Sequence, residues 1–262
     1  RYPDYDAYLA AKARIFERQT SDDFAVANAD PDQLCCRQLA SASSAPLLTF
    51  RSERSRGTGA WIDDGELCLR LPRGQVEKSA RASLALPGRH TAQNALAALV
   101  SARLAGATIE GCARALEGFE GLPHRMQLVG ERGGVRFYDD SKATNVGAVV
   151  GSLAGFERRV VLIAGGKDKG GDYGPLKRVL EETCSCVVLI GAAAELMQRA
   201  LAGSAPLHRA DEMRGAVALA SSLAREGEAV VLSPACSSFD MYRNFEERGR
   251  DFAAAVSALD DA

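Results

Sequence analysis

The run Asp139-Asp140-Ser141-Lys142-Ala143-Thr144-Asn145 gathers carboxylates, hydroxyls, an amide and a lysine within a few residues. Side chains of these types accept hydrogen bonds from the open backbone donors of a helix start, where the helix dipole leaves positive potential. Such a turn suits an anion. It equally fits an ordinary capped helix start, a reading that leaves Lys142 without a purpose. Two other stretches carry comparable groups, Gly165-Gly166-Lys167-Asp168-Lys169-Gly170-Gly171 and Ser233-Pro234-Ala235-Cys236-Ser237-Ser238-Phe239-Asp240. The first lacks the Lys-Ser/Thr that closes a phosphate loop, so it reads as a flexible substrate loop. In the second, Cys236 has no activating histidine beside it in sequence. A buried packing thiol is the better reading than a nucleophile.

Each stretch needs an element to hold it. The run at 139–145 follows the apolar Val135-Arg136-Phe137-Tyr138 and precedes a helical run from Val146 to Ala154; the other two follow Val160–Ala164 and Ala229–Leu232. Gln127–Val129 and Cys186–Ile190 are further strand candidates, and Pro175–Glu182, Ala192–Leu201 and Met213–Arg225 are helical. This alternation predicts an α/β domain, doubly wound around a largely parallel sheet, with functional groups at the strand C-terminal ends. Upstream, Tyr5–Arg18 has helical spacing, and Phe24–Asp30 reads as a buried strand delivering a polar turn to a site edge. Leu47–Phe50, Gly59–Ile62, Glu66–Leu71 and Ala82–Leu86 suggest an antiparallel edge subsheet. Gly88–Asn94 opens a helix through Leu104, and Thr108 caps another reaching Leu116. Gly121 and Pro123 put a domain boundary near Leu122, giving domains 1–122 and 123–262.

Composition narrows the class. The 262 residues are 47% hydrophobic and 25% charged with a formal net charge of −2, which gives no basic face for nucleic acid. No apolar run is long enough for a membrane span, and the first residues are too polar for a signal peptide. The seven cysteines are odd in number and lack a C-x-x-C with partner histidines. Reduced thiols, and with them a cytoplasmic location, are expected.

Gly121-Leu122-Pro123-His124-Arg125, Asp140-Ser141-Lys142-Ala143-Thr144-Asn145, Leu232 through Asp240, and Asn244-Phe245-Glu246-Glu247-Arg248-Gly249 together resemble the ATP-dependent Mur ligases, and within them the glutamate-adding branch. The likeness touches the chain start and covers nearly the whole sequence. It implies the C-terminal part of a central ATP-binding domain in 1–122 and a Rossmann-like domain binding the amino acid in 123–262. Such ligases carry a Gly-x-x-x-x-Gly-Lys-Ser/Thr phosphate loop before this region, and none is found here. The expectation is the C-terminal part of a longer enzyme. The implied activity is ATP- and Mg2+-dependent addition of D-glutamate to UDP-N-acetylmuramoyl-L-alanine through an acyl phosphate, in peptidoglycan precursor synthesis, by a monomer. Residue types do not separate D- from L-glutamate. A related ligase adding another amino acid, a folylpolyglutamate-type ligase, and a non-catalytic nucleotide- or amino-acid-binding module are the alternatives.

Residue roles come from the resemblance alone. Lys169, Thr144, Ser238, Phe239 and Phe245 would hold the incoming glutamate, with Lys142 beside its carboxylate as a catalytic group. Arg125 and Asp140 would contact ATP, Asp140 through ribose hydroxyls. Asn94 would meet the base, although on spacing alone it equally reads as a surface or helix-packing residue. Thr91 stands where the family commonly has an asparagine after the histidine, which puts nucleotide contacts there in doubt. Lys12 would be carbamylated and catalytic, an oxygen ligand for Mg2+; otherwise a lone helical lysine is a solvated surface residue.

Overall fold

The computed structural model describes residues 4–31, 34–40, 43–55, 57–64, 66–80, 89–154, 156 and 158–259. The chain divides into two compact units, Arg1–Glu120 and Gly121–Ala262.

In the first unit, α1 (Tyr5–Ala13) begins at Asp4, whose carboxylate accepts from the Ala7 amide at 2.7 Å, and runs into a 3-10 turn at Arg14–Phe16. One sheet follows in the order β1 (Ala25–Asn28), β2 (Leu47–Arg51), β3 (Gly59–Asp63), β4 (Glu66–Arg70), β5 (Val76–Ala80). The sheet is mixed: β1, β2 and β3 run parallel, and only β3–β4–β5 is antiparallel. The antiparallel subsheet expected from sequence therefore holds for its far half alone. A connection as short as that between β2 and β3 normally marks a hairpin, since parallel neighbours usually need a longer crossover, and this misdirects the sequence reading. The strand candidate Ala82–Leu86 lies outside the described residues, and β5 and α2 (Leu34–Ala40) have no counterpart in the sequence reading. Helices α3 (Arg89–Leu104) and α4 (Ile109–Glu117, capped by Thr108 on the Gly111 amide) cover the sheet. Leu96, Leu99 and Val100 of α3 pack on Leu48, Leu67 and Leu69, which excludes water from a continuous apolar layer.

The second unit contains β6 (Gln127–Arg132), β7 (Val135–Asp139), α5 (Val146–Leu153), β8 (Val160–Gly165), α6 (Gly174–Thr183), β9 (Cys184–Ile190), α7 (Ala194–Ala200), β10 (Leu207–Arg209), α8 (Met213–Leu223), β11 (Ala229–Ala235) and α9 (Phe245–Ser257). The sheet order is β10-β9-β8-β11-β7-β6, parallel from β10 to β7, with β6 antiparallel at the edge. Every residue of β8 and β11 is buried, as expected of strands covered on both faces. On one face lie Val149, Leu153, Leu176 and Met197 from α5, α6 and α7; on the other, Met213, Val217, Phe252 and Val256 from α8 and α9. This is the doubly wound arrangement expected from sequence. Because β11 returns between β7 and β8, the C-terminal ends of those three strands stand side by side.

No helix among the described residues is long and apolar enough to cross a membrane. Cys68, Cys112, Cys184, Cys186 and Cys236 are free thiols.

Candidate functional site

The chain leaves β7 at Asp139, which is buried and accepts from the Ser141 amide at 2.9 Å. The other oxygen of Asp139 lies 2.6 Å from His124 Nδ1. A carboxylate only accepts, so Nδ1 carries the proton. The His124 ring meets Phe245 edge-on at 5.9 Å, and the Lys142 ammonium sits 3.8 Å above the Phe245 ring centre. Phe245 thus holds an exposed lysine in place by cation–π attraction, while α9 holds Phe245 through the Asn244 cap on the Glu247 amide at 2.7 Å. Gly249 makes this possible. A methyl added there would overlap His124 Nδ1 and stand 2.5 Å from Asp139 Oδ2. Gly249→Ala should break the His124–Asp139 bond and cost about 2–3 kcal/mol in urea unfolding. A loss below about 0.5 kcal/mol would show that the imidazole has room to yield.

Beneath the turn lies Arg248, 1% exposed. Its guanidinium donates to Ser141 Oγ (2.9 Å), Ser141 O (2.9 Å) and Cys236 O (3.2 Å), tying the turn after β7 to the one after β11. Burial lowers its pKa to about 10. Asp140 also points inward. Ser233 of β11 donates to it at 2.7 Å, and burial pushes its pKa up to about 6 despite the bonds it accepts from Ser152, Ser233 and the Met126 amide.

The turns after β8 and β11 are joined as well. Lys167 and Ser237 form an antiparallel bridge, with amide bonds of 2.8 and 3.1 Å and a third bond from Ser237 Oγ at 3.0 Å. Gly166, at φ +128, lets the strands close: a Cβ there would overlap the Ser237 carbonyl. The loop expected to be flexible is therefore pinned. Asp168 accepts from the Gly170 amide at 2.9 Å and from the Tyr173 hydroxyl at 2.7 Å, and the Tyr173 bond holds its carboxyl below the usual range. Lys169, Asp168, Tyr173, Ala235 and the first turn of α5 at Asn145–Gly147 surround an open cavity of about 270 Å3. The lining carries one lysine, Lys169, and two carboxylates, Asp168 and Asp172, beside the N-terminal turn of α5, whose open amides and dipole suit a carboxylate.

Of the residues singled out from sequence in this unit, Lys169 lines the cavity, and Lys142 and Phe245 form a contacting pair at the neighbouring strand end. Thr144 is half-buried in the turn, its amide bonded to Lys142 O at 2.8 Å, and Ser238 is buried where its carbonyl accepts from the Tyr242 amide. Phe239 is 67% exposed and Arg125 is exposed. Cys236 is buried, and burial raises its thiol, as a packing role requires. In the first unit, Asn94 is exposed on α3, one residue after Gln93, whose amide donates to Asp30 at 2.5 Å. Asp30 is buried and also accepts from Ser52 N and Oγ at 2.7 and 2.8 Å, so it fixes the ends of β1 and β2 against the helix that presents Asn94. Lys12 is exposed, its ammonium 5.3 Å from the Tyr8 ring centre. Among the described residues no group of three His, Cys, Asp or Glu side chains could hold a metal ion. Lys12 as a carbamate would bring one ligand, and the described residues do not complete a set for Mg2+.

The sequence reading assigned no role to His124, Asp139, Arg248, Tyr173 or Asp30. Asp30 had a usable signal, a carboxylate ending the apolar run Phe24–Ala29.

Comparison with known proteins places these features in a family. Residues 1–102 match the Mur ligase middle domain, and residues 124–236 match the glutamate ligase domain of Mur ligases. The UDP-N-acetylmuramoylalanine–D-glutamate ligase of Geotalea uraniireducens is 45% identical over 261 residues, covering 100% of this chain and 57% of that protein. The ligase of the same name from Trichlorobacter lovleyi is 45% identical over 259 residues, covering 99% of this chain and 57% of that protein. Among solved structures, a pseudomurein peptide ligase type C from Methanothermus fervidus shares the fold, with a TM-score of 0.71 at 13% identity over 98% of this chain and 60% of that one. The chain spans a little over half the length of the curated relatives it matches.

Proposed function

The chain belongs to the Mur ligase family, and we propose that it carries the amino-acid-binding and part of the ATP-binding machinery of a ligase joining D-glutamate to UDP-N-acetylmuramoyl-L-alanine. The observation that carries this reading is the side-by-side ending of β7, β11 and β8, which sets Lys142 over Phe245 at one end and Lys169 in a cavity at another. Two cations, one of them held over Phe245, suit a substrate with two carboxylates.

In this reading ATP supplies the phosphoryl group that turns a carboxylate into an acyl phosphate open to amine attack. Lys169 and the first turn of α5 bind a carboxylate of glutamate. Lys142, held over Phe245, offsets negative charge as the amide forms. Thr144, Ser238 and Phe239 complete the amino-acid site. Arg125 and Asn94, both exposed, are available to ATP, and Asp140, buried in the turn, is assigned to its ribose through the family resemblance. Mg2+ belongs to the reading through family membership. The described residues do not complete a ligand set for it. The enzyme is read as a cytoplasmic monomer.

The test is phosphate release by the full-length gene product with ATP, Mg2+ and UDP-N-acetylmuramoyl-L-alanine, offering D-glutamate, L-glutamate, L-lysine and diaminopimelate in parallel. Dependence on D-glutamate is expected. Dependence on L-glutamate would move the stereochemical assignment, and dependence on none would sink the ligase reading. Lys169→Ala should raise the KM for glutamate on the order of 30- to 100-fold while leaving that for the nucleotide sugar nearly unchanged. Equal effects on both would remove Lys169 from the amino-acid site.

A further inference from the structure

Resting on the reading of the Lys169 and Ser238 loops as the amino-acid site, we propose that Tyr173 is a positioning residue that sets the spacing of those loops, as the middle link of a directed chain from Cys236 to Asp168.

Tyr173 is buried at the entrance to α6 and lines the 270 Å3 cavity. Its hydroxyl lies 2.7 Å from Asp168 Oδ1 and 3.1 Å from Cys236 Sγ. Asp168 directly precedes Lys169 in the loop after β8; Cys236 stands two residues before Ser238 in the loop after β11. One phenol therefore touches both segments that carry the proposed glutamate ligands.

The direction of the chain follows from proton counting. A carboxylate accepts only, and a phenol has one proton. The Tyr173 proton goes to Asp168, so the Cys236 thiol is the donor in the 3.1 Å contact with the Tyr173 oxygen, which is shorter than the 3.9 Å contact with Met197 Sδ that the same proton could serve. The same carboxylate accepts the Gly170 amide at 2.9 Å, so the residues on both sides of Lys169 are anchored to one group. Electrostatics agrees with this order: the Tyr173 bond keeps Asp168 ionised, and burial keeps Cys236 a thiol.

The Lys167–Ser237 bridge joins the same two loops through backbone bonds, which a side-chain change leaves intact. Losing the phenolic oxygen should thus loosen Lys169 without unfolding the turn. A tyrosine at a helix entrance otherwise reads as core, and a ring alone would fill that space.

Tyr173→Phe in the full-length gene product tests this, since the ring and its packing stay. The KM for glutamate should rise about tenfold, with kcat and the KM values for ATP and UDP-N-acetylmuramoyl-L-alanine within about twofold of wild type. Cys236→Ser, which keeps a donor, should leave the glutamate KM near wild type, and Cys236→Ala should raise it. An unchanged glutamate KM in Tyr173→Phe, or equal rises in all three KM values, would overturn the proposal. The Lys169→Ala variant separates the two readings. If it raises the glutamate KM selectively and Tyr173→Phe does not, the positioning role alone fails; if wild type shows no glutamate-dependent turnover, the functional reading fails first.

Discussion

Arg248→Ala should lower stability by about 3 kcal/mol, a fall in melting temperature of roughly 6–12 °C for a chain of this size. The guanidinium is buried, and each of its hydrogen bonds goes to a neutral oxygen: Ser141 Oγ, Ser141 O and Cys236 O. Two effects oppose each other. Removing a buried cation relieves the desolvation that lowers its pKa to about 10. It also leaves two carbonyls without a donor in a place closed to water and opens a cavity the size of a long side chain. The second effect wins because stranded acceptors each cost about 1–3 kcal/mol and the cavity adds to that. Arg248→Lys keeps the charge but offers a compact ammonium in place of a planar fork, so it should recover less than half of the loss. Urea unfolding of the three proteins decides the matter. If Arg248→Lys matched wild type, charge and not fork geometry would be what holds the turns together.

Arg248 also shows where sequence reading stops. In Glu246-Glu247-Arg248-Gly249-Arg250 it sits in a charged run whose ordinary meaning is a solvated helix face. The inward turn of α9 depends on the sheet beneath it, which lies far away in sequence. The His124–Asp139 bond spans 15 residues, and Tyr173 and Cys236 are 63 apart. No local pattern encodes such pairs. What was legible rests on period and position. Continuous apolar runs at 160–164 and 229–232 read as central parallel strands, and the polar clusters after them fall at neighbouring strand ends in the fold. The first unit was read less well because pairing direction is a tertiary choice. The segment between β2 and β3 has hairpin chemistry and a parallel outcome.

Asp140→Asn should stabilise the protein at pH 8 and lose that advantage in acid. The Asp140 carboxyl rises from 3.8 to about 6 on folding, chiefly by burial. The folded state therefore prefers the protonated form, so the favourable contribution is fully present below about pH 3.8 and is lost as pH rises through 6. Above that, wild type carries the burial of an ionised carboxylate, a penalty of up to about 3 kcal/mol from a shift of roughly two units. An amide escapes the penalty but turns one NH2 toward donors that the carboxylate had satisfied, among them Ser233 Oγ. The net gain expected for Asp140→Asn is about 1–2 kcal/mol at pH 8, vanishing near pH 4. Urea unfolding of both proteins at steps from pH 4 to pH 8 measures it, and a difference that does not change with pH would contradict the assignment. A charge kept at a cost to the fold points to use. If Asp140 holds the ATP ribose, the more stable variant should be the poorer enzyme, with a higher KM for ATP and an unchanged KM for glutamate. Stabilisation without that loss would leave Asp140 a strut of the turn and remove it from the nucleotide site.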